Sequence, residues 1–153
     1  RDADVAHNFG WMLCQQGRNS EAIGLFAQAL SNPSYAGRSR TLLAQGVCRA
    51  KAGQLPEAEL DLTRSFELDA GNPVTAFSLA QVLFRRDDLV KAQFYLRRLN
   101  NGEMANAETL WLGIKVENKL GNRVAVQQLA DQLKRRFPKS KEFGFYERGA
   151  LNE

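Results

Sequence analysis

Apolar residues recur along this chain at helical spacing, in short blocks separated by polar turns. The first block carries Val5, Phe9, Met12 and Leu13, with Gly10 placed where a bulky side chain would hold a neighbouring helix away. The second opens after Asn19-Ser20 and sets Ala22, Ile23, Phe26, Ala29 and Leu30 on one face. Together they predict two antiparallel helices, brought close by the small Ala22 and Ala29 while Phe26 fills the gap between. The pattern then returns three times. Leu42, Leu43, Gly46, Val47 and Ala50 precede Ala58, Leu62 and Phe66; Leu79, Ala80 and Leu83 precede Ala92, Tyr95, Leu96 and Leu99; Leu110, Leu112 and Ile114 precede Leu129, Ala130 and Leu133.

The turn inside each pair recurs as well. Gly17-Arg18-Asn19-Ser20-Glu21-Ala22 is echoed by Gly53-Gln54-Leu55-Pro56-Glu57-Ala58, by Asp87-Asp88-Leu89-Val90-Lys91-Ala92 and by Gly121-Asn122-Arg123-Val124-Ala125-Val126. The closing residues Ala22, Ala58, Ala92 and Val126 stand 36, 34 and 34 positions apart. Thirty-four residues of helix–turn–helix is the tetratricopeptide repeat length. The predicted fold is therefore all-α: a tetratricopeptide-repeat solenoid of four helical hairpins in a right-handed stack, with a C-terminal capping helix. The whole chain, 1–153, reads as a single repeat domain, with repeats near 4–32, 39–70, 74–100 and 106–138 and the capping helix near 140–151. The loop from Ser31 to Arg38 runs two residues longer than the later connections, and Ala70-Gly71-Asn72-Pro73 marks a sharp break between hairpins. The fourth repeat is the least regular, as a terminal repeat should be.

Composition narrows the function classes. At 44% hydrophobic and 25% charged, this is the make-up of an ordinary soluble globular chain. No apolar run approaches the roughly 20 residues of a membrane-spanning helix. The chain starts at Arg1 without a signal-like leader, so an upstream segment carrying any address is expected to have been removed. Net charge is +4, with basic residues gathered at Arg85-Arg86, Arg97-Arg98 and Lys134-Arg135-Arg136. These runs read as solvated helix faces rather than a stripe interleaved with base-stacking aromatics, so no nucleic-acid partner is expected. Catalysis finds no foothold: there is one histidine, His7, no metal-spaced cluster, no phosphate-cradling glycine loop and no nucleophile elbow. No enzyme, cofactor, metal or small-molecule substrate is predicted.

A stack of helical hairpins presents a concave surface lined by the first helix of each hairpin. With Phe9, Gly10 and Leu13 taken as the core face, the neighbouring face holds His7, Trp11, Cys14 and Gln15. Its counterparts are Leu43, Val47, Ala50 and Lys51, then Phe77, Gln81, Phe84 and Arg85, then Trp111, Lys115, Asn118 and Lys119. Trp11, Leu43, Val47, Phe77, Phe84 and Trp111 on a solvent face would form an apolar protein-binding groove, or some of them pack between adjacent hairpins. His7 is expected at the groove edge. A carboxylate clamp of fixed Asn and Lys side chains is not met, since Asn8 has Ala44 as its counterpart. Cys14 and Cys48 lie on consecutive first helices at a similar height, offset by two residues in repeat register. In a reducing compartment they read as two small buried hydrophobes, and in an oxidising one as candidates for a disulfide.

The run Asn8-Phe9-Gly10-Trp11-Met12-Leu13-Cys14-Gln15-Gln16-Gly17 is distinctive beyond the generic repeat. With Asn32-Pro33-Ser34-Tyr35, Gly46-Val47-Cys48, Leu110-Trp111-Leu112-Gly113-Ile114 and Arg136-Phe137-Pro138, it resembles the tetratricopeptide pilotins of type IV pili, the PilF/PilW biogenesis and stability proteins. The resemblance covers nearly the whole chain. It implies an outer-membrane lipoprotein of a Gram-negative bacterium, facing the periplasm and anchored by a lipid upstream of Arg1. It further implies a partner, the pilus secretin subunit, which such a protein helps to reach the outer membrane and assemble into its multimer, in support of pilus biogenesis and twitching motility. The alternative is a generic repeat scaffold for protein–protein interaction, in the cytoplasm or the periplasm. In the periplasmic setting a Cys14–Cys48 bridge and two free thiols are about equally expected.

Overall fold

A computed structural model describes residues 2–152. Among them, the regular structure is entirely helical. The elements are α1 (Asp2–Gln15), α2 (Asn19–Leu30), α3 (Arg38–Lys51), α4 (Leu55–Leu68), α5 (Pro73–Arg85), α6 (Leu89–Asn100), α7 (Ala107–Lys119), α8 (Arg123–Arg136) and α9 (Lys141–Glu147). Where the sequence reads as one repeat domain, the structure divides into two compact units, Arg1–Val82 and Leu83–Glu153.

The turns within hairpins share one backbone device. Gly17, Gly53 and Gly121 take φ of +79°, +80° and +78°, and Asp87 occupies the same position at φ 61°. The amide after each of them donates back across the helix end: Arg18 to Leu13, Gln54 to Arg49, Asp88 to Leu83 and Asn122 to Glu117, each at 2.9 Å. This satisfies carbonyls that the helix end would otherwise strand, and it reverses the chain in two residues.

In the first unit, α1 pairs with α2, α3 with α4, and α3 also packs on the preceding hairpin. Leu13, Cys14, Ala22, Phe26, Ala44 and Cys48 form one core cluster. Gly10 and Gly46 are the points of closest approach: a Cβ on Gly46 would lie 2.7 Å from Leu62 Cγ, so the bare backbone admits the facing side chain. The face of α1 differs from the sequence reading. Phe9, taken there as core, is 48% exposed, and Val5 and Met12 are exposed beside it. The buried face is Ala3, Ala6, His7, Gly10, Leu13 and Cys14. The counterparts of the exposed Val5, Phe9 and Met12 one repeat later, Thr41, Gln45 and Cys48, are all buried, since α3 has a hairpin before it. On α1 the same face meets no preceding hairpin among the described residues.

His7 is likewise a core residue rather than a groove-edge one. Its Nδ1 lies 2.8 Å from Thr41 Oγ1, and the Thr41 hydroxyl lies 3.1 Å from Tyr35 Oη. Tyr35, in the long loop, is itself buried, and Gly37 leaves room for its ring. Burial lowers the His7 pKa from the ordinary value, the Arg40 charge lowers it further, and Asp4 opposes them in part. Farther along, Arg49 donates from Nη1 to the buried Asp61 carboxylate at 2.9 Å. Burial still raises the Asp61 pKa, against the pull of Arg49 and Gln45.

In the second unit α7 packs against α6 and α8, and α9 lies on α7 and α8. Asn106 caps α7, accepting from Thr109 N while Thr109 Oγ1 accepts from Asn106 N. Glu117 is buried and receives Arg97 Nε at 2.8 Å, Gln93 Nε2 at 2.9 Å and Asn122 Nδ2 at 2.8 Å. Burial raises its pKa, but the hydrogen bonds from Arg97, Asn122 and Gln93 outweigh that and hold the carboxyl below its usual range. Phe143, Phe145, Tyr146 and Leu151 close the apolar end formed by Leu110, Trp111, Ile114, Ala130 and Leu133.

Candidate protein-binding groove

Repeat register assigns each groove candidate to a first helix, and the local packing decides whether it can meet a partner. In the first unit, Trp11 on α1 is exposed, and Leu43 and Val47 on α3 and Phe77 on α5 are half-buried. Lys51 Nζ stands 5.7 Å from the centroid of the Trp11 ring, so the open faces of α1 and α3 share one surface. Amphipathic packing explains this: α1 turns Gly10, Leu13 and Cys14 inward, leaving Trp11 and Gln15 on the outside.

In the second unit, Phe84 at the end of α5 is half-buried. Lys115 Nζ lies 5.4 Å and Lys119 Nζ 5.0 Å from its ring centroid. Trp111 departs from the sequence expectation. It is only 4% exposed, because Phe145 of α9 packs beside it with ring centroids 5.9 Å apart. It therefore forms a wall behind Lys115, whose Nζ is 5.9 Å from its ring, and is not itself an open contact. Lys115 and Lys119, which helical spacing already sets on the open face with Trp111, are not among the contact residues named from apolar pattern; the geometry brings them to Phe84.

Cys14 and Cys48 come together in the first unit's core as a disulfide pair, with Cα atoms 5.9 Å apart. The two-residue register difference is absorbed by the stacking. Both the Cys14–Cys48 and the His7–Thr41 contacts link residues 34 apart, although the repeat step here is 36, so neighbouring first helices sit with an axial offset. Cys14, expected on the open face, is buried.

No group of side chains suited to a metal ion occurs among the described residues. None of the described helices is long and apolar enough to cross a membrane. What both units offer is an aromatic or aliphatic floor bordered by lysines, a surface able to hold a polypeptide segment.

Comparison with known proteins gives this surface a setting. No family profile matches the chain. It is 29% identical over 143 residues to the type IV pilus assembly protein PilF of Pseudomonas aeruginosa, an alignment covering 94% of this chain and 57% of that protein. The chain thus spans little more than half the length of this curated relative. Among solved structures it is similar to PilW, described as a widely conserved type IV pilus biogenesis factor, with a TM-score of 0.88 and 32% identity over 95% of this chain and 67% of that one. The solved P. aeruginosa PilF gives a TM-score of 0.82 at 28% identity, over 97% and 67% of the two chains. YrrB, a tetratricopeptide-repeat protein described as having an unusual peptide-binding site, shares the fold at 16% identity with a TM-score of 0.81.

Proposed function

Because the chain belongs to the PilF/PilW family of tetratricopeptide-repeat proteins of type IV pilus biogenesis, we propose that it is a pilotin. In this reading it captures the secretin subunit of the type IV pilus and promotes its localisation and multimer assembly at the outer membrane. It works on the periplasmic side, tethered by a lipid anchor on the full-length protein, and it acts by protein binding rather than by catalysis. The observation that carries the proposal is the pairing of aromatics with lysines on first helices, exposed Trp11 with Lys51 and half-buried Phe84 with Lys115 and Lys119. Aromatic anchors of this kind contribute a large share of the binding energy in protein interfaces. Leu43, Val47 and Phe77 supply the apolar surface around Trp11's unit.

The test is retention of a detergent-solubilised outer-membrane fraction on the purified chain, with captured proteins identified by mass. Recovery of the secretin, lost on Trp11→Ala combined with Phe84→Ala in a variant that melts like the parent, supports the reading. Capture unchanged by the double substitution removes the groove from it. Failure to retain the secretin returns the function to a general repeat scaffold.

A further inference from the structure

The second unit holds two ammonium groups without an acid. Lys115 is half-buried, its ammonium near the rings of both Phe84 and Trp111, and the Lys119 ammonium also stands over Phe84. Among the described residues neither lysine has a carboxylate within ion-pair distance. A cation taken partly out of water without a counter-charge is unfavourable, and the ring faces return only part of that cost. Burial lowers the Lys115 pKa, and no neighbouring carboxylate acts to raise it. In the wall behind Lys115, Trp111 Nε1 is buried and has no hydrogen-bond acceptor. Two cations and no acid around one aromatic floor describe an incomplete site whose missing part is an anion.

We propose that Lys115 and Lys119 receive the carboxylate of an Asp or Glu side chain on an extended segment of the protein partner, while an adjacent apolar side chain of that segment lies on Phe84. This deepens the groove reading above and rests on it for the partner being a protein. Lysine suits the role because its aliphatic stem lies along the ring while the ammonium reaches the ligand. Charge complementarity selects the occupant: the surface is aromatic and cationic, so the complement is acidic and apolar together. It also makes recognition salt-dependent, since the ion pair forms at a partly open site.

The experiment uses the whole chain and two blocked pentapeptides, one with Asp between two leucines and one with Asn in its place, titrated while amide and indole resonances are followed. Saturable shifts are expected at Trp111, Lys115 and Lys119, with the Asn peptide weaker by about tenfold. Lys115→Met, which keeps the stem and removes the charge, is expected to abolish the difference between the peptides. Lys119→Met, at an exposed position, provides a second variant if Lys115→Met does not fold. Equal binding of the two peptides, shifts confined to other residues, or no shift at millimolar peptide would overturn the proposal. So would saturable binding at these lysines of a short oligothymidylate that the Asp peptide fails to displace. Secretin capture that persists in both lysine variants would also overturn it while leaving the pilotin reading intact; loss of capture by the parent chain would remove that reading and leave the peptide result to stand by itself.

Discussion

A Cβ placed on Gly10 would lie 2.8 Å from Cε1 of the fully buried Phe26 ring and 3.2 Å from the Ala22 carbonyl. The absence of a side chain at Gly10 is what lets α1 and α2 close around Phe26. Gly10→Ala should therefore lose stability, because an overpacking cost of about 1–3 kcal/mol exceeds the helix-propensity gain of about 1 kcal/mol. Gly24, on α2, has nothing within 4 Å of its Cβ position, so Gly24→Ala should gain that propensity term unopposed. Urea unfolding of both variants checks the contrast. Equal stabilisation by the two would mean that the ring and helix are not in tight contact.

Asp87 adopts at φ 61° the left-handed turn that Gly17, Gly53 and Gly121 occupy elsewhere. A non-glycine residue in that region is strained by roughly 1 kcal/mol, with Asp tolerating it better than most. Asp87→Gly should be neutral to stabilising by up to about 1 kcal/mol despite the greater freedom of its unfolded chain, and Gly53→Ala should be destabilising. Thermal melting of the two variants distinguishes them by sign. A clear loss in Asp87→Gly would show that its side chain contributes more than its backbone strain removes.

His7 is buried neutral against Thr41, with its pKa lowered by burial and by Arg40. The unfolded chain therefore binds a proton near pH 6.5 that the folded chain binds only at lower pH. Stability from this residue is complete above the unfolded pKa and is lost as pH falls from there through the folded one. Unfolding free energy should decline on acidification below about pH 6.5, and His7→Gln should flatten that part of the profile while lowering stability at neutral pH. A profile unchanged by His7→Gln would place the acid sensitivity elsewhere.

Period carried the helix positions into the sequence, because Ala22, Ala58 and Ala92 must each be small for a hairpin to close, and all three are fully buried. The turn residues were equally legible, down to Asp87 standing where glycine stands in the other repeats. The face of α1 was not. Its apolar residues fall on two sides, and only the contacts of α3 show which side a hairpin covers. Trp111 failed for a related reason: its burial depends on Phe145, 34 residues later, and helical periodicity is blind to what a distant segment lays over a surface. His7 depends in the same way on Thr41. The lysine-bordered groove was half visible: helical spacing set its aromatics and lysines on one face, and only geometry shows each lysine over a ring.

Cys14 and Cys48 stand 34 residues apart, two short of the repeat step between them, with Cα atoms 5.9 Å apart and both side chains buried. A bridge there ties α1 to α3 and closes a loop long enough that, in the chain-entropy account, the unfolded state loses the equivalent of about 3–4 kcal/mol of freedom. Protein prepared in an oxidising compartment should gain the mass of two hydrogens on reduction, and its melting temperature should fall. The Cys14→Ser, Cys48→Ser double variant should lose at least as much stability as reduction causes, since it also buries two hydroxyls in an apolar cluster. Cys14→Ala with Cys48→Ala separates the two effects, retaining the apolar surface without the link. Two free thiols in the oxidised preparation would show that the pair serves only as small core residues, and in that case the Ala variant and the reduced parent should melt nearly together.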